Sequence, residues 1–177
     1  MLLNKIPVLD KGYVALIDSC NTTQKLREMG VEFFGGEYPT SLEDLGHMTV
    51  VMKCPLFVQL ILSKFKFKVI DANQSGPLEA YIPDATAING SDVVTSQAIS
   101  DDLSRTTEAL IINPKAYQAD GCDRFVSQVI TPINVYTLLI ISGEYSEWCK
   151  LAYQERLPGP IRSYAEALRQ IIEVEWK

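Results

Sequence analysis

His47 is the single histidine of a 177-residue chain. A lone imidazole near neutral pH can act as acid, base or hydrogen-bond partner. Further on, Lys64, Lys66 and Lys68 place cations at alternate positions, and a turn-rich stretch, DANQSGP over residues 71–77, follows them. An apolar segment that delivers cations into a polar, glycine-containing loop can hold a phosphate, with Ser75 as a hydrogen-bonding group. Each of these residues also has a plain structural reading. His47 can be a strand-start histidine with one backbone hydrogen bond. The lysines can be a solvated helix end, where cations are favoured. Ser-Gly-Pro can be an ordinary turn. Cys20, Cys54, Cys122 and Cys149 are widely spaced and form no CxxC pair, so the chain offers no metal-binding signature.

The whole-chain chemistry limits what such a site can serve. The net charge of −6 argues against sequence-independent DNA binding, which needs a cationic surface. An anionic nucleotide would therefore sit in a local basic pocket on an acidic protein. Apolar residues make up 47% of the chain, enough for a core, and the length suits one domain over residues 1–177. Lys64 and Lys66 interrupt the longest apolar stretch, residues 54–62, well short of a membrane span. The opening MLLNKIPVLDKG has no long apolar region and no cleavage site, so no signal peptide is expected. Reduced thiols in a cytoplasmic protein follow as the expectation.

The elements that must position these residues can be read from the pattern. Residues 13–18 read as a strand after the turn at Asp10-Lys11-Gly12. Asn21 or Thr22 can cap a helix over residues 23–29, and residues 35–44 read as a loop. Residues 47–53 read as a strand centred on Thr49, Val50 and Val51. Pro55 suits the first turn of a helix over residues 56–66. Residues 83–96 are polar and irregular. Ser100 with Asp101 and Asp102 favours a helix from residue 101 to about 112, with Pro114 starting another. Residues 123–130 read as helix, residues 134–141 as an apolar strand ended by Gly143, and residues 144–156 as helix. The last helix, residues 161–176, carries Ile161, Tyr164, Ala165, Leu168, Ile171 and Ile172 on one face. Strands and helices interleave without a regular βαβ rhythm, which favours an α+β class.

Five strings, in order, carry a resemblance. VLDKGYVALID (8–18), GHMTVVMKCPLFV (46–58), LEAYIPD (78–84), PINVYT (132–137) and IRSYAEA (161–167) resemble segments of the flavin-dependent thymidylate synthases. The family writes four of them FEHATFTFRIECPIFV, LEFYVPD, PLNLYT and IREYAEA. The resemblance implies a thymidylate synthase-like fold with a mixed sheet and flanking helices. It implies methylation of carbon 5 of dUMP, with methylenetetrahydrofolate supplying the carbon and reduced FAD the hydride, NADPH being the reductant. It implies no cysteine nucleophile, so Cys54 gains no catalytic role.

Carried over residue by residue, the resemblance places His47, Asn73 and Gln74 with the flavin. Lys64, Lys66, Ser75, Arg124 and Arg156 fall with the nucleotide. The departures are as informative. The family's RHR is Lys64-Phe65-Lys66 here, and the preceding RQ is Leu60-Ile61. Val126 and Gln128 replace a glutamine and an arginine, and Glu155 competes with Arg156 for the terminal arginine position. A planar guanidinium fork makes two hydrogen bonds to phosphate or carbonyl oxygens, whereas lysine is a point charge. Two function classes follow. One is a divergent synthase acting on dUMP or another pyrimidine nucleotide. The other is a non-catalytic paralogue that partners an intact synthase. The family forms homotetramers with shared active sites, so a homotetramer or hetero-oligomer is expected, with apolar faces at residues 56–62, 135–141 and 161–172. Neither DNA nor a membrane is an expected partner.

Overall fold

The computed structural model describes residues 5–20, 46–72, 78–83, 93–119 and 132–176. In chain order the elements are β1 (Lys5–Val8), β2 (Gly12–Cys20), β3 (His47–Pro55), α1 (Leu56–Leu62), β4 (Lys68–Asp71), α2 (Val93–Ala119), β5 (Tyr136–Glu144), α3 (Tyr145–Ala152) and α4 (Gly159–Glu175). The five strands form one sheet in the order β1-β2-β3-β5-β4. The class is α+β as expected. The sheet is antiparallel rather than mixed: β1–β2, β2–β3 and β4–β5 pair antiparallel, and Thr49 meets Ser142 while the Gly46 carbonyl meets the Tyr145 N–H. The chain divides into two compact units, one built from residues 1–54, 58–74 and 137–177, the other from residues 55–57 and 75–136.

The first unit carries the sheet, α3 and α4. β1 and β2 make a tight hairpin in which Val8 pairs Gly12 across Leu9, which takes the left-handed φ of 58°. Gly12 has to be glycine. A Cβ there would meet the Tyr164 hydroxyl and the carbonyl oxygens of Val8 and Lys53. That crowding lets the Tyr164 hydroxyl donate to the Lys53 carbonyl at 2.9 Å, tying α4 to β3.

β3 alternates strictly. Met48, Val50, Met52 and Cys54 are fully buried, while His47, Thr49, Val51 and Lys53 face partly or wholly outward. Such alternation is what a sheet covered on one face requires. β5 follows the same rule, with Leu139 and Ile141 buried and Ile140 and Ser142 half-buried. The predicted face of the last helix holds: Ile161, Tyr164, Ala165, Leu168, Ile171 and Ile172 are all buried in α4. Each large aliphatic side chain so buried contributes roughly 1.5–3 kcal/mol of transfer free energy.

The second unit holds α2. The Leu56 and Phe57 N–H groups donate to the Val135 and Ile133 carbonyls at 3.0 and 2.9 Å. Ala80 bridges Val135, and the Tyr81 N–H donates to the Asn134 carbonyl. Here α2 corrects the sequence reading. It starts at Val93, inside the stretch taken as irregular, and continues through Pro114 to Ala119. Ser100 is therefore not an N-cap. It lies inside the helix, and its hydroxyl donates to the Pro83 carbonyl at 2.8 Å. The local capping signal gave way to tertiary context, in which the Ser100 hydroxyl has a backbone partner on another segment.

Three other boundaries moved. α1 ends at Leu62 rather than at residue 66, because the Lys64 and Phe65 N–H groups turn back to the Ile61 and Leu62 carbonyls. β4 was not anticipated at all. β5 runs on through Gly143 to Glu144, and α3 stops at Ala152. The readings for residues 21–45, 73–77, 84–92 and 120–131 lie outside the described residues.

Candidate functional site

The outward face of β3 brings polar groups together at one end of the sheet. His47 and Thr49 lie two residues apart on β3, hence on the same face. Across the ladder, β5 presents Ser142. The Ser142 Oγ lies 2.7 Å from His47 Nε2 and 2.8 Å from Thr49 Oγ1. Register extends the row in both directions: Ser142 pairs Lys68 on β4, and Thr49 and His47 pair Asp18 and Cys20 on β2. His47 is exposed, and the Ser142 hydroxyl is its side-chain partner among the described residues.

The cationic cluster sits on a turn and the start of β4, not on a helix end. The turn is fixed from below. Glu147 of α3 is buried, and its carboxylate accepts from the Lys66 backbone N–H at 3.1 Å and from the Lys150 ammonium at 2.6 Å. Those two contacts, the Lys150 one foremost, hold the Glu147 carboxyl below its usual range. Aromatic stacking supports the same turn. Phe65 stacks on Phe67 at 5.6 Å, and Phe67 packs against Trp148 at 4.3 Å. The Phe67 ring occupies the space where a Cβ on Gly143 would go, which accounts for a glycine inside β5. Trp148 Nε1 donates to the Met48 and Gly143 carbonyls at 3.1 and 3.2 Å, locking α3 to β3 and β5. Lys64, Lys66 and Lys68 are exposed, and their ammonium groups form no ion pair among the described residues. Of the three, Lys68 lies in register with Ser142 and so beside the histidine and the two hydroxyls, where an anionic group carrying carbonyl acceptors can be received.

Of the residues nominated from sequence, His47, Lys64 and Lys66 belong to the sheet unit, the lysines on the turn leading into β4. Arg156 stands in the exposed bend between α3 and α4, with no hydrogen bond or ion pair among the described residues. Asn73, Gln74, Ser75 and Arg124 lie outside the described residues. Cys54 is buried on the opposite face of β3, and burial pushes its thiol up to about 12. It is no nucleophile near neutral pH. Sequence reasoning missed Ser142, Thr49 and Glu147 as parts of one site. Ser142 lies one residue past the strand read from the sequence, residues 134–141, so no strand-face signal pointed to it.

The fold places these residues in a known architecture. Crystal structures of the UMP/dUMP methylase PolB from Streptomyces cacaoi superpose on nearly the whole chain. With 5-Br dUMP bound, the match covers 96% of this chain and 92% of PolB, with a TM-score of 0.68 at 16% identity. With 5-Br UMP bound, it covers 94% and 91%, with a TM-score of 0.76 at 15% identity. The chain has the PolB fold. That fold is thymidylate synthase-like, as the five strings implied. No family model matches the sequence, and no curated protein sequence does either. No helix among the described residues is long and apolar enough to cross a membrane.

Proposed function

We propose that this chain is a thymidylate synthase-like protein that binds a pyrimidine nucleotide, UMP or dUMP, and acts at carbon 5 of its base. The observation that supports it most is the near full-length fold match to a UMP/dUMP methylase. His47, Ser142 and the three free lysines then supply what such a ligand needs. The ammonium groups of Lys64 and Lys66 meet the phosphate; Ser75, Arg124 and Arg156 stay nucleotide-binding candidates on the strength of the family resemblance alone. His47, Asn73 and Gln74 are the flavin-binding candidates that the family resemblance gives. The residues present suit FAD in part: an exposed imidazole fits a carbonyl-bearing ring, while lysines in place of arginines weaken the hold on its phosphates. When bound, FAD supplies hydride, and methylenetetrahydrofolate supplies the carbon. Such a protein acts in pyrimidine nucleotide biosynthesis in the cytoplasm, as a homotetramer or with an intact synthase.

The test is incubation of purified protein with UMP or dUMP, methylenetetrahydrofolate, FAD and NADPH, followed by chromatography of the nucleotides. A 5-methylated product supports the enzymatic reading. Nucleotide binding without product favours the second reading, a non-catalytic partner. One specific observation points that way: Leu60, at a position the family gives to arginine, is 61% exposed and offers no polar group. Absence of any nucleotide binding overturns both.

A further inference from the structure

We propose that Ser142 and Thr49 are positioning residues that hold His47 as an outward Nδ1–H donor. A hydroxyl carries one proton and two acceptor lone pairs. The Ser142 Oγ has two side-chain partners, His47 Nε2 at 2.7 Å and Thr49 Oγ1 at 2.8 Å. It can donate to only one of them. Imidazole nitrogen is the stronger base, so Ser142 donates to Nε2 and accepts from Thr49. The chain then runs Thr49 to Ser142 to His47, and each bond polarises the next. Nε2 is thereby fixed as an acceptor, and the ring proton sits on Nδ1. That nitrogen has no partner among the described residues and belongs to an exposed side chain. It is presented as a donor of fixed direction, suited to a carbonyl oxygen or ring nitrogen of a planar heterocycle. The charged and ionisable neighbours in register are Lys68 beside Ser142, Asp18 beside Thr49 and Cys20 beside His47. A free histidine side chain prefers the opposite tautomer, so the relay makes a distinguishable claim.

That the acceptor belongs to a flavin or pyrimidine rests on the reading proposed above, and the experiment separates the two. The protein holds one histidine, so 15N-histidine labelling yields a single-residue spectrum. At a pH where the ring is neutral, the wild type should show a protonated Nδ1 and an unprotonated Nε2. Ser142→Ala should return the ring to the Nε2–H form, and Thr49→Val should do so in part. Ser142→Thr, which keeps the hydroxyl, should restore the wild-type pattern. A wild-type ring already in the Nε2–H form overturns the relay, as does a Ser142→Ala spectrum that superposes on the wild type. Adding FAD and dUMP in turn then probes the ligand. A shift of the His47 nitrogens with either one supports the relay in its role. An intact relay whose nitrogens move with neither upholds the positioning claim and overturns only the flavin and nucleotide reading.

Discussion

β3 has two faces with opposite duties. Met48, Val50, Met52 and Cys54 are fully buried on one, while His47, Thr49, Val51 and Lys53 look outward on the other. The buried face is chemically uniform, and its one ionisable group, Cys54, is silenced by burial. The outward face carries a histidine, a hydroxyl and, across the ladder, a second hydroxyl. The strand's period of two is what allows both within nine residues. Stability should therefore respond to one face and chemistry to the other.

The largest break in that division comes from the core. Leu139 on β5 is fully buried, so Leu139→Ala should cost about 2–5 kcal/mol, lost transfer energy plus a residual cavity. Chemical denaturation measures it. The His47 nitrogen spectrum of the folded variant should stay unchanged. A loss below about 1 kcal/mol would mean that this face is not a packed core.

The turn under the lysines lies between the two extremes. Glu147→Ala removes the acceptor of the Lys66 N–H and the partner of Lys150, and should cost roughly 1–3 kcal/mol. The pH dependence has a defined sign. The folded-state pKa of Glu147 is lowered, so its contribution is full above the ordinary carboxylate value of about 4.3. It is lost as pH falls through the lower folded value. Wild-type protein should thus lose stability on acidification more steeply than Glu147→Gln does. Parallel acid titrations of the two would refute this assignment.

How much of this was legible follows from the same two faces. The α4 stripe, the β3 alternation and the run of family-like strings could be read, because each is a repeated pattern whose signal adds along the chain. The site could be read only in part. His47 and the lysines stood out by type, but Ser142 reaches His47 through strand pairing across 95 residues of sequence. No local pattern encodes that. β4 was missed because its residues, Lys68 to Asp71, mix charge with a single half-buried valine. α2 was cut short because Ser100 and Pro114 carry punctuation signals that packing overrode. Its inward face holds Ser96, Ser100 and Thr107, while Ile99, Leu103 and Leu110 stay exposed, the reverse of the stripe in α4. The apolar faces first nominated for assembly fare differently: Val58, Leu62 and the α4 stripe are buried within the chain. The exposed α2 residues are the better place to test an oligomer, by light scattering of Leu103→Glu beside the wild type.

The smallest stability effects belong to the lysines, and there the comparison is sharpest. Lys64, Lys66 and Lys68 are exposed and unpaired, so each Lys→Ala change should leave folding stability within about 0.5 kcal/mol of wild type. Binding should separate them. Under the proposed function Lys64 and Lys66 meet the phosphate, whereas Lys68 lies beside Ser142 on β4. Their loss should weaken UMP or dUMP binding more than the loss of Lys68 does. An exposed charge pair contributes on the order of 0.2–1 kcal/mol, so the expected change in Kd is a few-fold per lysine. It should shrink as salt rises, because the screening length falls from about 10 Å at 0.1 M to about 3 Å at 1 M. Lys11→Ala, in the β1–β2 turn, is the control for net charge. Titration calorimetry at two salt concentrations decides the matter: equal losses from Lys11 and Lys64 would reduce the turn to bulk electrostatics and remove it from the site.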